Sequence, residues 1–142
     1  MKNIALILLI LILNACQSQK VFENYELSYS KSGGYAPVYE NLLIKNNTAT
    51  YFFEGHGKKY SEKISVSDTE MKLLYEAIEQ NNLRQIREDH KKMYDYITTT
   101  IKIKKDNIIK NDGSGIFPQD QQRWNNVVNA FEELITSRKL RK

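Results

Sequence analysis

Most of the chain after residue 24 alternates between apolar and polar side chains, which is the period of a half-buried β-strand. The clearest example runs from Tyr96 to Lys104, where the isoleucines share one face and the lysines the other. Turn-forming residues separate the alternating segments, among them Gly33-Gly34 and Asn46-Asn47. The pattern predicts strands over residues 25–30, 38–45, 49–54, 59–66, 96–104 and 108–111.

Two other segments carry apolar residues at helical spacing. The first opens with a capping box, in which the Ser67 side chain caps the first turn and Glu70 reaches back. This helix is predicted to end near Asn81 and Asn82. Its apolar face comprises Met71, Leu74, Tyr75 and Ile78. The second helix is predicted from Gln119 to Ser137, with an apolar stripe formed by Trp124, Val127, Val128, Phe131, Leu134 and Ile135.

The order of elements is a run of strands, a helix, a hairpin and a second helix. Consecutive strands joined by short turns pair antiparallel, and two amphipathic helices can cover one face of such a sheet. We therefore predict an α+β fold, with a mostly antiparallel sheet of about five to six strands and two amphipathic helices packed on one face. A single domain is expected over residues 24–137, followed by a basic tail at 138–142.

The N-terminus is unlike the rest of the chain. Lys2 precedes an unbroken apolar run from Ile4 to Leu13. As a helix this run would rise only about 15 Å, roughly half a hydrocarbon core, which is the length of a signal-peptide core. The run ends in Leu-Asn-Ala-Cys at residues 13–16, which resembles the lipobox of bacterial lipoproteins, although Asn14 departs from the small or β-branched residue usual there.

That resemblance implies diacylation of the Cys16 thiol, cleavage before Cys16 and acylation of the new amino group. Residues 1–15 are then a signal peptide, and residues 16–23 form the lipidated tether. Cys16 is the only cysteine, and acylation removes an otherwise oxidisable thiol from an exported protein. The expected location is the cell envelope, and Gln17 in place of Asp favours the outer membrane of a diderm organism. A plain signal peptide with an incidental cysteine and an uncleaved helix are the alternatives.

Charge and composition narrow the function classes. The 142 residues include 21 Lys and Arg against 17 Asp and Glu, a modest net charge of +4 that clusters only in the tail from Arg138 to Lys142. We expect this tail to be frayed and solvated, with contact to acidic headgroups or an acidic partner as the alternative. An envelope location also disfavours nucleic acid as a partner.

No residue pattern indicates catalysis, a metal or a cofactor. His56 lies between glycines in a predicted turn, and His90 lies in a charged stretch, so neither has the paired spacing of a zinc ligand. The Gly55 to Lys59 segment lacks the glycine spacing of a phosphate loop. Ser114 is not in a nucleophile elbow, which needs glycines two residues away on either side. The domain is therefore expected not to be an enzyme.

Aromatic residues are numerous in or beside the predicted strands: Tyr35, Tyr39, Tyr51, Phe52, Phe53, Tyr60, Tyr94 and Tyr96. Most are expected in the core or in cross-strand pairs. Alternation cannot bury all of them, and a surplus near the glycine turn could form a recognition patch, because tyrosine suits mixed apolar and hydrogen-bonding contacts. Gly33, Gly34, Tyr35 and Tyr39 are the candidate partner-binding residues.

The segment from Ser32 to Tyr39, followed by the Asn46-Asn47 hairpin and the stretch from Asp95 to Thr100, resembles an uncharacterised domain family frequent in Bacteroidota lipoproteins. That family opens with a Cys, a short Gly-containing loop, a second Cys and Pro-Val-Tyr, and carries a later Asp-x-Pro-Thr-Thr stretch. The likeness covers about residues 25 to 136. This chain departs at both cysteines, now Ser32 and Ala36, and at the later proline, now Ile97, so no disulfide is carried over.

The Ser32 to Tyr35 segment also resembles the emfourin family, small proteins that inhibit thermolysin-like metallopeptidases. No inhibitory residue is carried over, and the shared glycines are also expected of any turn that needs positive φ. Three hypotheses follow. The first is a non-enzymatic envelope lipoprotein that binds an envelope or secreted protein. The second is an emfourin-like peptidase inhibitor, and the third is an enzyme with an unrecognised site.

Overall fold

The computed structural model of the protein describes residues 25–35, 37–90 and 96–142. The strands are β1 (Glu26–Gly33), β2 (Val38–Lys45), β3 (Thr48–Gly55), β4 (Lys58–Ser65), β5 (Ile97–Ile103) and β6 (Ile108–Asn111). The helices are α1 (Asp68–Gln80) and α2 (Gln121–Ser137). The expected signal peptide, lipidated Cys16 and tether lie outside the described residues, as does Tyr94. No helix among the described residues is both long enough and apolar enough to cross a membrane.

The strands form one six-stranded sheet in the order β4-β3-β2-β1-β5-β6, with every neighbouring pair antiparallel. The tight turns depend on residues that accept positive φ. Asn46 and Asn47 have φ of 48° and 59° between β2 and β3, as predicted for that hairpin. His56 and Gly57 make the next turn with φ of 50° and 73°. The predicted α+β fold with a mostly antiparallel sheet and two helices is confirmed.

One face of the sheet forms the hydrophobic core with the helices. Tyr29 at the centre of β1 stacks on Phe131 of α2, with ring centroids 5.2 Å apart and planes 11° from parallel. The buried apolar strand residues are Leu27, Tyr29, Leu42, Ile44, Ala49, Tyr51, Ile101, Ile103 and Ile108. The helices contribute Met71, Leu74, Ile78, Trp124, Val127, Phe131, Leu134 and Ile135. Each large side chain buried in this way contributes about 1.5–3 kcal/mol.

The helix starts differ in how well they were predicted. The capping box of α1 is confirmed, since the Ser67 Oγ accepts from the Glu70 amide at 3.2 Å and the Ser67 amide donates to Glu70 Oε2 at 2.8 Å. Tyr75 was predicted to face the core, but it is at the rim of the core and meets Tyr25 edge-on at 5.8 Å. The second helix begins at Gln121, because Pro118–Asp120 forms a 3₁₀ turn instead.

The two helices run antiparallel on the sheet. The Asn126 amide near the start of α2 donates to Asn81, which caps the end of α1, at 2.9 Å. At the other end, the guanidinium of Arg138 donates to both carboxylate oxygens of Glu70 at 2.7 and 2.6 Å. These contacts fix the helices as a layer over one face of the sheet, and no other segment in the described part of the chain covers the opposite face.

The tail from Arg138 to Lys142 is not frayed, and the expectation of a solvated end is wrong. After α2 the chain closes a Schellman motif, in which the Leu140 amide donates to Ile135 and the Lys139 amide to Thr136, both at 3.0 Å. Lys139 takes the left-handed conformation that the motif requires, with φ of 52°. Leu140 is thereby fully buried. Arg138 pairs with Glu70 of α1, whereas Arg141 and Lys142 pair with Glu40 and Glu62 of the sheet.

Replacing Leu140 with alanine is expected to lower the free energy of unfolding by about 2–4 kcal/mol, because the change leaves a cavity in the core. Urea unfolding monitored by circular dichroism measures this loss. Leu73→Ala is the matched control, since Leu73 is 59% exposed on α1 and its truncation should cost less than about 0.5 kcal/mol. Equal losses in the two variants would show that the tail does not pack against the domain.

Candidate functional site

The turn between β1 and β2 brings the predicted binding residues against the start of β5. Gly33 and Gly34 have φ of 107° and 87°, a conformation that side chains other than glycine rarely adopt. A Cβ on Gly33 would lie 3.1 Å from the Tyr96 carbonyl oxygen, and one on Gly34 would lie 3.2 Å from Ile97 Cγ1. Glycine is therefore needed at both positions for two reasons, the positive φ and the close approach of the turn to the start of β5.

Large side chains are exposed around this turn. Tyr35 is fully exposed, and Tyr39, Tyr96 and Ile97 are 45%, 41% and 44% exposed. Tyr39 lies on the uncovered face of the sheet, where its ring contacts Phe52 at 5.6 Å. The Tyr96 hydroxyl donates to the Asp112 carbonyl oxygen at 2.7 Å. We call Gly33, Gly34, Tyr35, Tyr39, Tyr96 and Ile97 the loop-end patch.

Two members of the loop-end patch were not proposed from the sequence as binding residues. Ile97 was predicted to face the core with Ile101, and its strand position agrees, but Ile97 lies near the strand's end and stays partly exposed. Its contact with the glycine turn joins two segments that are remote in sequence. No local sequence signal indicates such a contact.

A second group of polar residues lies on the helix-covered side. Glu40 of β2 is only 3% exposed, and its carboxylate accepts from the Tyr51 hydroxyl at 2.7 Å. Arg141 donates to both Glu40 oxygens at 2.9 Å. Arg141 also contacts Glu132 of α2 at 2.7 Å between Nη1 and Oε2. The Lys31 amine lies 2.5 Å from Glu132, which also accepts a hydrogen bond from Tyr29. We call these six residues the Arg141 network.

Tyr29, Tyr51 and Glu132 of this network have pKa values that are shifted away from neutral pH. Burial, followed by hydrogen bonds to the carboxylates, raises the pKa of Tyr29 and of Tyr51. Burial opposes ionisation of Glu132, but hydrogen bonds from Arg141, Lys31 and Tyr29 outweigh it and lower the pKa of Glu132 to about 2. These groups cannot exchange protons near neutral pH. The ion pairs and hydrogen bonds of the Arg141 network join β1, β2, β3, α2 and the tail, so we interpret it as a structural clamp.

A groove of about 560 Å³ lies between α1 and α2. Its lining includes Ser137, whose hydroxyl donates to the Leu134 carbonyl at 3.1 Å, and Glu70, which is paired with Arg138. No histidine or cysteine lines it. The groove thus offers no nucleophile beside a base.

The histidines and acids elsewhere are also dispersed. His56 is exposed in its turn, and His90 lies 3.8 Å from Glu88 on the surface. Asp120 is buried, and hydrogen bonds from Arg87 and Arg123 lower its pKa. Over residues 25–35, 37–90 and 96–142, no three or more His, Cys, Asp or Glu side chains are grouped so that they could hold a metal ion.

The geometry defines the class of the protein as an α+β domain with an open antiparallel sheet, a helix layer on one face and an exposed aromatic turn. No protein-family model matches the chain, and no curated protein sequence matches it. The interpretation of function therefore depends on the residues themselves.

The Arg141 network makes stability depend on pH. Because the pKa of Glu132 falls from 4.5 to about 2 on folding, its contribution is complete above pH 4.5 and is lost as the pH falls toward 2. We expect Glu132→Gln to lower the free energy of unfolding by about 3 kcal/mol at pH 7 and by much less at pH 2. Urea titrations across this range measure the difference, with Glu133→Gln as the exposed control. If the difference in free energy of unfolding between the wild-type protein and Glu132→Gln stayed constant with pH, it would contradict this role of the Arg141 network.

Proposed function

We propose that the protein is a lipid-anchored lipoprotein of the bacterial cell envelope, and that its domain binds another protein through the loop-end patch. The anchor is inferred from the lipobox-like residues 13–16 and from Cys16. The proposed partner is an envelope or secreted protein, and the proposed role is binding rather than catalysis. The observation that carries the binding role is the full exposure of Tyr35 on a turn between paired strands.

The position of the turn supports this proposal. β1 runs from Glu26, next to the tether, to Gly33 at the turn. Its eight residues span about 25 Å, so Glu26, which follows the expected tether in the sequence, and the loop-end patch lie at opposite ends of β1. A domain anchored through Cys16 can therefore present Tyr35 away from the lipid.

The chemistry of the patch also supports a protein partner. Tyrosine combines a large apolar ring with a hydroxyl, and it is enriched among the residues that dominate binding energy at protein interfaces. Tyr39, Tyr96 and Ile97, at the adjoining ends of β2 and β5, are also partly exposed. Gly33 and Gly34 hold the turn against β5, which lowers the conformational entropy lost when a partner binds.

A peptidase inhibitor related to emfourin is the second candidate. The observation that favours it is the projection of Tyr35 from a turn whose two strands are both paired in the sheet, since such a turn can enter a cleft. Inhibition of a thermolysin-type peptidase by the purified protein would identify the partner as an enzyme. Binding without inhibition would favour envelope assembly.

Tyr35→Ala is expected to weaken capture of the partner at least about tenfold, as for an interface hot spot. The measurement immobilises the protein and quantifies what it retains from envelope and secreted fractions. Leu73→Ala, which removes an exposed large side chain from α1, should retain the partner unchanged. Both variants should melt at the wild-type temperature. Unchanged retention by Tyr35→Ala would remove the loop-end patch from the proposal.

Cys16→Ser tests the anchor separately. We expect the wild-type protein to incorporate labelled palmitate and to sediment with membranes, because stable anchoring needs two or more acyl chains. The serine variant should incorporate no label and should leave the membrane fraction. Label that persists in Cys16→Ser would contradict lipidation at this residue, and it would leave the result for Tyr35 unaffected.

A further inference from the structure

Within residues 25–35, 37–90 and 96–142, the sheet face opposite the helices is uncovered, and its residues line up in rows across the strands. Ser30 of β1 pairs with Asn41 on one side and Thr100 on the other. Ser28 pairs in the same way with Leu43 and Lys102. Because paired residues in antiparallel strands share a face, each row continues over all six strands.

Two adjacent rows form a band that we define by register. The first row, from β4 to β6, is Ser61, Phe52, Asn41, Ser30, Thr100 and Asn111. The second row is Lys63, Thr50, Leu43, Ser28, Lys102 and Ile109. The band therefore offers hydroxyls, amides, a few apolar surfaces and two amines, and it contains no carboxylate.

The two lysines of the band differ from the other lysines on this face. Lys59 is paired with Glu54 at 3.0 Å, and Lys45 lies 3.9 Å from Glu26. Lys63 and Lys102 are exposed and form no ion pair with any residue in the described part of the chain. Four strand spacings separate them, or roughly 19 Å. The band is thus complementary to an extended ligand that carries negative charges.

The composition of the band favours a sugar polymer over a protein. Serine, threonine and leucine are under-represented among the residues that dominate protein interfaces, and lysine is depleted there. Short hydroxyl and amide side chains such as Ser30, Asn41 and Thr100 both donate and accept hydrogen bonds, as sugar hydroxyls do. Phe52 and Leu43 offer apolar surface to the C–H faces of a sugar ring.

We propose that this band binds a linear polysaccharide that carries carboxylate groups. Lys63 and Lys102 pair with two of its carboxylates, and the neutral side chains between them hydrogen-bond its hydroxyls. The band is separate from Tyr35, although Tyr39 borders it through its contact with Phe52. The proposal goes beyond protein binding at the loop-end patch and does not depend on it.

The test titrates the purified protein against a fluorescent oligogalacturonate that is long enough to reach both lysines, with fluorescence polarisation as the readout. Lys63→Gln with Lys102→Gln should weaken binding at least about tenfold. Lys72→Gln with Lys139→Gln removes the same charge from the helix side and should change binding less than about twofold. All four lysines are exposed, so both double variants should keep the wild-type melting temperature.

Two further probes test specificity. A neutral glucan oligomer of the same length should bind more weakly than the oligogalacturonate. Poly-glutamate should also bind more weakly than the oligogalacturonate, because it carries the negative charge without the sugar hydroxyls. Thr100→Val with Ser30→Ala should weaken sugar binding several-fold while preserving the charges. Tyr35→Ala should bind the sugar like wild type, which separates this test from that of the loop-end patch.

Three outcomes would overturn the proposal. The first is no binding of oligogalacturonate by the wild-type protein. The second is an equal loss in both lysine double variants, which would indicate attraction to overall charge. The third is equal or tighter binding of poly-glutamate with the same dependence on Lys63 and Lys102, which would assign the band to an acidic peptide.

Discussion

The carboxylate of Glu40 lies within the core of the domain, and its pairing with Arg141 constrains much of the structure around it. A buried charge without a partner costs several kcal/mol, and removing one member of such a pair is more destabilising than replacing both with apolar residues. Arg141 satisfies both oxygens of Glu40 and also contacts Glu132. One guanidinium therefore joins β2, α2 and the tail, and the Schellman motif that ends α2 directs the chain to that position.

The Arg141 network lies on one side of the sheet, together with most of the residues that hold the fold together. The helices, the tail and the buried tyrosines all lie there, and on that side Arg141 pairs with Glu40 and Glu132, Lys31 with Glu132, and Arg138 with Glu70. The opposite face carries many short hydroxyl side chains, and the turn after β1 presents Tyr35 at the end of that strand away from Glu26. Residues on these two surfaces can change with little cost to stability, which leaves them available for recognition.

Local patterns in the sequence were sufficient for most of the fold. The strand alternation, the Ser67 capping box and the Asn46-Asn47 hairpin each depend on residues a few positions apart, and all are present. Contacts between distant segments were beyond such reasoning. Arg141 and Glu40 are 101 positions apart, so the burial of Glu40 could not be inferred from β2 alone.

The tail from Arg138 to Lys142 and the turn between β1 and β2 were each predicted only in part. Composition suggested a solvated tail, yet Leu140 is a local signal for a Schellman motif, since an apolar residue often follows the left-handed position at a helix end. The candidate site was identified only in part. Gly33, Gly34, Tyr35 and Tyr39 followed from turn chemistry and aromatic surplus, whereas Ile97 joins them only because β5 pairs with β1.

We propose that recognition uses the loop-end patch and not the helix layer. Site-specific photo-crosslinking in cells tests it most directly, with a photoreactive phenylalanine placed at Tyr35 in one strain and at Leu73 in another. Both positions are exposed, so both tolerate the probe. We expect a crosslink to one defined envelope or secreted protein from position 35 and none from position 73. Crosslinks from position 73 alone would assign recognition to the helices and would contradict recognition through the loop-end patch.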